Sequence, residues 1–194
     1  MDQLTRQGFA TQRRTELFDA LVDLFLTEGF AQLTLDDIAS RLRCSKSTLY
    51  TLAGSKEQLV RAATVHFFRR ATNDVETRIE SVSGSRARIT AYLSAVGVAL
   101  AAASDQFMAD LDAFSPAREV YEQNTGIAAR RVHELITQGV ADGDFRDVHA
   151  AFAADLAATM MVRIQQRGVR DSTGLADTDA YRELAAILTA GIAA

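Results

Sequence analysis

Small hydroxyl side chains and basic side chains are concentrated in one short segment, residues 41–56, of this 194-residue chain. From Ile38 to Lys56 the sequence has four basic residues and no acidic residue, whereas the whole chain carries a formal net charge of −4. Lysine and arginine bind phosphate, and hydroxyl groups hydrogen-bond to phosphate oxygens or to base edges. The segment is therefore a candidate nucleic-acid contact, and the alternative is a solvated short helix with ordinary caps.

Two short helices and the start of a third are predicted around this segment. Thr34, with Asp37 three residues later, indicates a helix N-cap and an acidic first turn. Ser45 can cap the second helix, and Ser55 opens the third in an S-x-x-Q pattern typical of a capping box. Because residues 43–44 leave room only for a tight turn, the pattern is that of a helix-turn-helix, whose second helix enters the major groove.

Residues 12–63 resemble the DNA-binding domain of the TetR (tetracycline repressor) family of bacterial transcription regulators. The resemblance rests on ELFDALVDLFLTEGF, TLDDIASRL and STLYTLAGSKEQLV, which stand at the family's spacing. It implies an all-α regulator that binds DNA as a dimer and releases it when a small molecule binds. Repression is the commoner mode of action in the family.

Two departures from the family pattern affect the surface that is expected to contact DNA. The family usually has Ala-Gly-Val or similar in the turn, where this chain has Leu42-Arg43-Cys44. Glycine suits a left-handed turn residue, so Arg43 should be strained or the turn should differ. The family also follows its Leu-Tyr with an aromatic pair ending in Phe, whereas Thr51-Leu52-Ala53 follows here.

The expected DNA contacts divide into two groups by chemistry. Residues expected to read or flank bases are Lys46, Ser47, Tyr50 and Thr51. Residues expected to hold phosphates are Thr34, Ser45, Thr48 and Lys56, with Arg13, Arg14 and Arg43 as further candidates.

Composition bounds the fold class. The chain is 21.1 kDa and 48% hydrophobic, with one Pro and no Trp, and its alanine and leucine content favours an all-α protein of about nine helices. We expect an N-terminal three-helix helix-turn-helix domain over residues 1–55, a connecting helix over 56–82, and an effector-binding and dimerisation domain over 83–194. The last of these would be entirely helical.

The same composition leads to expectations about the compartment. No apolar run reaches the roughly 18 residues of a membrane span, and residues 1–14 lack the apolar segment of a signal peptide. The single cysteine, Cys44, excludes an intramolecular disulfide framework and suits a reducing compartment. We therefore expect a cytoplasmic protein with no membrane partner and no cofactor.

Helical periodicity, together with residues that cap or end helices, divides the remaining chain into predicted helices. Asp147 is expected to cap a helix that runs to about residue 166, and Gly168 is expected to end it. The other expected segments are helices over about 11–28, 86–103, 105–113, 115–142 and 178–192, with a loop over 169–177.

The last two long helices carry apolar stripes that could pair with a second copy of the chain. A four-helix bundle made of two helices from each subunit is one way to bury them, and burial inside one subunit is the other. The resemblance implies the dimer. The residues expected in this interface are Phe152, Leu156, Met160, Ile164, Leu184, Leu188 and Ile192.

The middle helices are expected to hold an effector pocket that is mostly apolar with a few hydrogen-bonding groups. Each candidate could equally be an ordinary core or rim residue with its polar atom satisfied. The candidates are Tyr92, Gln106, Met108, Tyr121, Asn124, His133 and Met160.

Two other classes of protein remain as alternatives. A small all-α enzyme has little support, because the three histidines do not stand at metal-binding spacing and there is no Gly-rich phosphate loop or nucleophile elbow. A helical adaptor that binds another protein through its apolar faces is the second alternative. Absence of DNA affinity in a well-folded dimer would favour the adaptor.

Overall fold

The computed structural model describes the backbone of residues 3–194 and the side chains of residues 12–194. Within that part the chain forms ten α-helices and no strand, with one isolated antiparallel bridge between Phe145 and Ala193. The all-α prediction is confirmed. The helices are α1 Gln3–Glu28, α2 Leu35–Arg41, α3 Lys46–Tyr50, α4 Lys56–Glu80, α5 Ser85–Leu100, α6 Asp105–Ala113, α7 Ser115–Ala141, α8 Ala150–Gln165, α9 Gly168–Thr173 and α10 Asp177–Gly191.

The first compact unit comprises Met1–Arg69 and Ala103–Tyr121. It contains α1, the helix-turn-helix of α2 and α3, the first part of α4, and α6, and α6 packs against α1. Its core is apolar and partly aromatic. The core side chains include Leu21, Phe25, Phe30, Ile38, Leu49, Leu59, Phe67, Phe107 and Leu111.

The second compact unit comprises Arg70–Ala102 and Glu122–Ala194. Helices α5, α8 and α10 pack together in it, with α9 against α8 and α10. The core side chains include Ile79, Ile89, Leu93, Val132, Ile136, Ala157, Met161, Ile164, Tyr181 and Ala185. The proposed functional division into residues 1–55, 56–82 and 83–194 stays a prediction beside these two structural units.

The N-terminal helix is longer than its apolar periodicity indicated. It begins at Gln3 rather than near residue 11. Residues 1–2 and the side chains of residues 3–11 lie outside the described part, and so does most of the segment from which the absence of a signal peptide was predicted.

The start of α8 corrects one predicted cap. His149, not Asp147, is the N-cap, and its Nδ1 accepts the backbone N–H of Phe152 at 3.2 Å. A neutral imidazole nitrogen therefore replaces the expected carboxylate oxygen. The lone pair on Nδ1 assigns the proton to Nε2 in this tautomer.

The segment after α8 corrects a predicted loop and brings the helix number to ten. Arg167, in the left-handed region at φ 63°, ends α8, and Gly168 opens α9 instead of acting as a stop. The hydroxyls of Ser172 and Thr173 bond back to the carbonyls of Gly168 and Val169, which completes a short helix in a polar sequence. Such a helix has too little apolar periodicity to be predicted.

None of the described helices is by itself long and apolar enough to cross a membrane, and α5 with α6 forms a bent pair that meets the length and composition requirement only jointly.

Candidate nucleic-acid interface

The first helix of the helix-turn-helix has a complete capping box at its N-terminus. The Thr34 hydroxyl accepts the Asp37 N–H at 3.2 Å, and Asp37 Oδ2 accepts the Thr34 N–H at 2.8 Å and its hydroxyl at 2.6 Å. These hydrogen bonds, the hydroxyl's first, lower the pKa of Asp37 below its usual value. The predicted cap is confirmed, and Thr34 is exposed beside it.

The turn between α2 and α3 is a Schellman motif with arginine at its left-handed position. The N–H of Cys44 bonds to the carbonyl of Ala39 at 2.9 Å, and the N–H of Arg43 bonds to the carbonyl of Ser40 at 3.2 Å. Arg43 has φ 50°, in the region that glycine favours. The expectation that a non-glycine residue would be strained here is confirmed, and the turn keeps the left-handed form.

Helix α3 is short and is held at its start by hydroxyl groups. Ser45 Oγ accepts the Thr48 N–H at 3.1 Å, and it lies 2.7 Å from Ser47 Oγ and 2.8 Å from Thr48 Oγ1. Leu49 and Leu52 are buried beneath the helix. The sequence-predicted inward and outward faces of α3 are therefore confirmed.

The outward face of α3 contains the residues that were expected to read bases. Lys46, Ser47 and Thr51 are exposed, and Tyr50 keeps 52% of its surface accessible. The Thr51 hydroxyl folds back to the carbonyl of Thr48 at 2.6 Å, and the Thr51 carbonyl accepts Arg14 Nη1 at 3.2 Å. This face offers hydroxyl, phenol and ammonium groups to a ligand.

The positive charge of this surface is smaller than the sequence count suggested. Arg41 pairs with Glu28 at 3.0 Å, and Lys46 pairs with Asp36 at 2.7 Å. The hydrogen bond that Lys46 donates to the Asp36 carboxylate raises the pKa of Lys46. The segment has no acids of its own, but the fold brings acids from α1 and α2 against it, and a count along the sequence could not include them.

Two further cations differ in availability. Lys56 Nζ donates to the carbonyl of Ala31 at 2.8 Å, so the residue expected to hold a phosphate also fixes the α1–α2 connection. The Arg43 side chain is exposed and has no ion-pair partner among residues 12–194. Arg43 therefore differs from Arg41 and Lys46, which pair with acidic side chains.

The third helix of the motif, α4, begins with half of the predicted capping box. Ser55 Oγ accepts the N–H of Gln58 at 3.2 Å, as predicted. The reciprocal bond is different, because Gln58 Oε1 accepts the N–H of Gly54 at 3.0 Å instead of that of Ser55. The long glutamine side chain reaches one residue further back than the pattern assumes.

The seven candidate effector residues are divided between the two structural units. Gln106, Met108 and Tyr121 belong to the first unit, whereas Tyr92, Asn124, His133 and Met160 belong to the second. Gln106 donates to Asp110 at 2.7 Å, and Asn124 Oδ1 accepts the Thr72 hydroxyl at 3.3 Å. These two amides therefore have partners inside the protein, which is the ordinary alternative given above for such residues.

One effector candidate is corrected by its position on α7. His133 is exposed, because the inward face of α7 there is formed by Val132, Leu135 and Ile136. Tyr92, in contrast, is buried. Its burial is the main cause that raises the pKa of its phenol, and the negative charge of Glu76 raises this pKa further. Glu76 is itself held by a two-pronged ion pair with Arg131 at 3.0 and 2.9 Å.

Some residues of the predicted dimer face are exposed, and the dimer itself stays a prediction. Phe152 and Leu156 are 68% and 54% exposed, and Met160 and Leu184 are half-buried. Ile187, 70% exposed, belongs to the same exposed apolar surface and was missed. A groove of about 470 Å³ is lined by Phe152, Leu156 and Ile187 and by neighbouring side chains of α8 and α10.

One member of the predicted dimer face is a correction, because Ile164 is 1% exposed in the core of its own subunit. Leu188 and Ile192 are 7% and 5% exposed but also line the groove, so their place in a dimer interface stays a prediction. The two stripes of α8 are adjacent and equally apolar, so the sequence could not say which of them the subunit itself covers. In the structure the stripe of Ala153, Ala157, Met161 and Ile164 is the inner one.

A capped helix-turn-helix with a polar, exposed second helix, followed by further helices, is typical of helical DNA-binding transcription regulators. Residues 17–63 match the family model described as bacterial regulatory proteins, tetR family. The match covers the helix-turn-helix and parts of the helices on either side of it, so this segment is similar to that family. No curated protein sequence matches the chain.

Solved structures share the fold over nearly the whole chain at low sequence identity. A transcriptional regulator from Saccharomonospora viridis, in complex with choline, is 16% identical with a TM-score of 0.77 and covers 95% of this chain and 99% of its own. PfmR, a TetR family regulator from Thermus thermophilus, is 17% identical with a TM-score of 0.67, covering 90% and 97%. The ketosteroid regulator KstR2 of Mycobacterium tuberculosis is 19% identical with a TM-score of 0.61, covering 94% and 95%.

Proposed function

We propose that this chain is a sequence-specific DNA-binding regulator that represses transcription as a homodimer and is released from its operator by a small molecule. The observation that carries the proposal is the outward face of α3. Lys46, Ser47, Tyr50 and Thr51 are exposed there on a helix whose N-terminus is capped and whose underside is buried. Such a helix can enter a major groove without unfolding the domain.

The side chains of this face fall into two groups, those that would contact base edges and those that would bind the DNA backbone. Ser47, Tyr50 and Thr51 offer hydrogen bonds and apolar surface to base edges, and Lys46 would exchange Asp36 for a phosphate or a guanine. Arg43 and Arg14, with the hydroxyls of Ser45 and Thr48, would anchor the backbone. Exchange of ion-pair partners makes binding depend on salt concentration.

A homodimer is supported by the exposed apolar surface on α8 and α10. Phe152, Leu156 and Ile187 together expose more large apolar surface than a monomer needs, and a second copy could cover it in a four-helix bundle. A two-fold dimer would present two α3 helices to half-sites one helical turn apart, at roughly 34–36 Å. The operator would then be palindromic.

The effector is proposed to be mostly apolar and of unknown structure. Relatives in fold differ in their chemistry, one being in complex with choline and one named for ketosteroids, so the fold alone does not define the ligand. Helix α4 would carry the response, because its residues contribute to both units. A coupling free energy of about 1–3 kcal/mol between effector and DNA would suffice.

A second candidate function is a protein-binding adaptor, favoured by the same exposed Phe152, Leu156 and Ile187. An adaptor would need no reading helix and would have no preference between DNA sequences. For an enzyme there is no comparable observation, since the described residues include no group of three or more His, Cys, Asp or Glu that could hold a metal ion.

The deciding experiment is a titration of the purified protein against its own upstream intergenic DNA and against a scrambled duplex of the same length, at about 0.15 M salt. Tight binding to the upstream duplex alone is the expected result. Equal binding to both duplexes would contradict autoregulation at that site, and a genome-wide selection of bound fragments would then find or exclude another operator. No preference for any fragment would favour the adaptor.

Two neighbouring substitutions on α3 separate reading from folding. Tyr50→Ala should weaken operator binding by about 1–3 kcal/mol and leave the unfolding transition in place, because its side chain is mostly exposed. Leu49→Ala should lower the free energy of unfolding by about 2–5 kcal/mol, because Leu49 is 1% exposed. Unchanged operator affinity in the Tyr50 variant would remove this residue from the reading surface.

A further inference from the structure

The connection between α1 and α2 is attached to α6 through one buried carboxylate. Asp110, on α6, is 5% exposed. Its Oδ2 accepts the backbone N–H groups of Phe30 at 2.6 Å and Ala31 at 2.7 Å, and its Oδ1 accepts Gln106 Nε2 at 2.7 Å. All three donors are neutral, so the partners of this carboxylate among residues 12–194 are amide groups.

Further contacts join the same two elements. The N–H of Ser104, the N-cap of α6, donates to the carbonyl of Leu26 in the last turn of α1 at 2.8 Å. The Phe30 ring meets the rings of Phe107 and Phe114 edge-on, with centroids 6.1 and 5.9 Å apart. The end of α1 is therefore bonded to both the beginning and the later half of α6.

The close approach of Asp110 also determines the residue at position 29. Gly29 has φ 77°, and a Cβ there would lie 2.6 Å from Asp110 Oδ2 and 2.7 Å from Gln106 Cγ. Only glycine suits both the left-handed backbone and this space. A glycine at the end of a helix is usually explained by its own backbone conformation. At position 29 the close packing of α6 requires glycine as well.

The helix-turn-helix begins immediately beyond this attachment. Ala31 is held by Asp110 at its N–H and by Lys56 at its carbonyl, and Thr34 caps α2 three residues later. Helix α2 packs on α3. A shift of α6 must therefore either move the start of α2 or break the hydrogen bonds of Asp110.

We propose that Asp110 is a positioning residue for DNA reading: through the N–H groups of Phe30 and Ala31 it determines the direction in which the helix-turn-helix leaves α1. Helix α6 thereby controls the orientation of α3. The inference rests on the proposed function for its consequence in DNA binding, whereas its consequence for the free protein does not require DNA. It assigns to α6 a role in addition to that of α4.

The test compares three variants of the full-length chain. Asp110→Ala removes all three hydrogen bonds, and Asp110→Asn keeps an oxygen for Phe30 and Ala31 while Gln106 can turn its own oxygen toward the new amide. Asp112→Ala is the matched control, because it removes an exposed carboxylate from the same helix. Amide hydrogen exchange is measured over residues 29–34 and 45–52, with α5, α8 and α10 as internal references, and affinity is measured for the upstream duplex.

In Asp110→Ala, exchange should accelerate about tenfold or more over residues 29–34 and should also accelerate over α3, while α5, α8 and α10 stay unchanged. Asp110→Asn should show a smaller acceleration over the same two segments, because an amide oxygen is a weaker acceptor than a carboxylate, and Asp112→Ala should match wild type. Operator affinity should fall in the same order. If Asp110→Ala does not fold, faster exchange restricted to residues 29–34 and 45–52 in Asp110→Asn is the supporting result.

Normal protection of α3 in a folded Asp110→Ala protein, or in Asp110→Asn where the alanine variant is unfolded, would overturn the proposal. Uniformly faster exchange across both units would do so as well, because it would indicate only lost stability. If wild type binds no DNA, the proposed function fails, and the exchange measurement still decides whether Asp110 positions α3.

Discussion

Arg43 combines backbone strain with an available charge. A left-handed conformation costs a non-glycine residue roughly 1–2 kcal/mol. Glycine avoids this strain, but it loses more backbone entropy on folding, which offsets part of the gain in stability. Arg43→Gly should therefore raise the free energy of unfolding by about 0.5–1 kcal/mol, measured by urea denaturation. The same change should weaken operator binding and reduce the salt-dependence slope by about 1.

Arg43→Lys is the control for this pair of effects. It keeps the positive charge and the strained backbone, so the salt slope and the stability should both stay near those of wild type. A destabilised Arg43→Gly protein would contradict the strain argument. An unchanged salt slope would show that the side chain contacts no phosphate.

At the residue scale, prediction worked where the physical cause was local in sequence. Thr34 and Ser45 were predicted as caps because a cap bonds only within its own first turn. Lys46 was predicted to read or flank bases, and its pairing with Asp36 could not be included because it depends on how α2 packs against α3. His133 was a candidate for the effector pocket, and its place on α7 leaves it exposed.

The N-terminus of α2 should respond to acid through Asp37. Hydrogen bonds from Thr34 hold the pKa of Asp37 below its usual value, so its contribution to stability is present above the unfolded-state pKa and is lost as pH falls through the folded-state pKa. Thr34→Val removes the hydroxyl and should raise the pKa of Asp37 toward that usual value. A carboxyl NMR titration measures the change.

Asp144 provides the internal reference for that titration. Its pKa is lowered by hydrogen bonding to Ser85 at the start of α5, in the second unit. Thr34→Val should leave the pKa of Asp144 where it is in wild type. Equal shifts at both carboxyls would indicate a general change in the protein and not the loss of one cap.

Two glycines inside α7 should respond in opposite ways to alanine. A Cβ at Gly139 would lie 2.3 Å from Phe145 Cδ2, and Phe145 is 3% exposed, so its ring has little room to shift. Gly139→Ala should destabilise by about 1–3 kcal/mol. At Gly126 the nearest atom is Arg130 Nη1 at 3.6 Å, and Gly126→Ala should stabilise by about 0.5–1 kcal/mol.

Urea denaturation of both variants tests whether α7 and the segment after it approach as closely as described. Stabilisation by both substitutions would mean that Phe145 can move away at little cost. Because the two positions share one helix, differences in helix propensity between distant segments do not affect the comparison.

Helix existence was predictable in this chain, whereas the inward face of α8 was not. Ser104 caps the start of α6, and Gly143 follows the end of α7 in a left-handed conformation. Both residue types are typical of helix ends, because capping depends only on residues close in sequence. Both stripes of α8 are apolar, and one of them is covered in the structure, where α9 and α10 pack against α8. The choice among Phe152, Leu156 and Ile164 therefore needed the structure.

For the whole molecule, the helix-turn-helix was predictable because several short patterns had to agree over residues 12–63. The effector site was not predictable, since its candidates are single residues distributed over two structural units. A cavity depends on which helices meet, and this is determined by long-range packing rather than by residue type. The identity of the effector is consequently the least constrained part of the proposed function.

The dimer is the proposed property on which the whole molecule's action depends. Phe152→Glu and Ile187→Glu place charges on the exposed apolar surface of α8 and α10, where the native side chains are 68% and 70% exposed. Burying these charges in an interface would be costly, so each variant should sediment at the monomer mass of 21.1 kDa while wild type sediments at twice that mass. Ile127→Glu, at a 47% exposed position on α7, is the matched control and should remain dimeric.

DNA binding should follow assembly in these variants. When two α3 helices are joined in one dimer, binding of the second half-site becomes intramolecular. This raises the affinity for a palindromic operator by a factor of roughly 10²–10⁴ without any new contact. A monomeric Phe152→Glu protein should therefore lose about that factor for the full operator and keep its affinity for a single half-site. Dimers that persist in both glutamate variants would move the interface away from α8 and α10, and a monomeric wild type that still bound the full operator tightly would contradict the two-fold reading altogether.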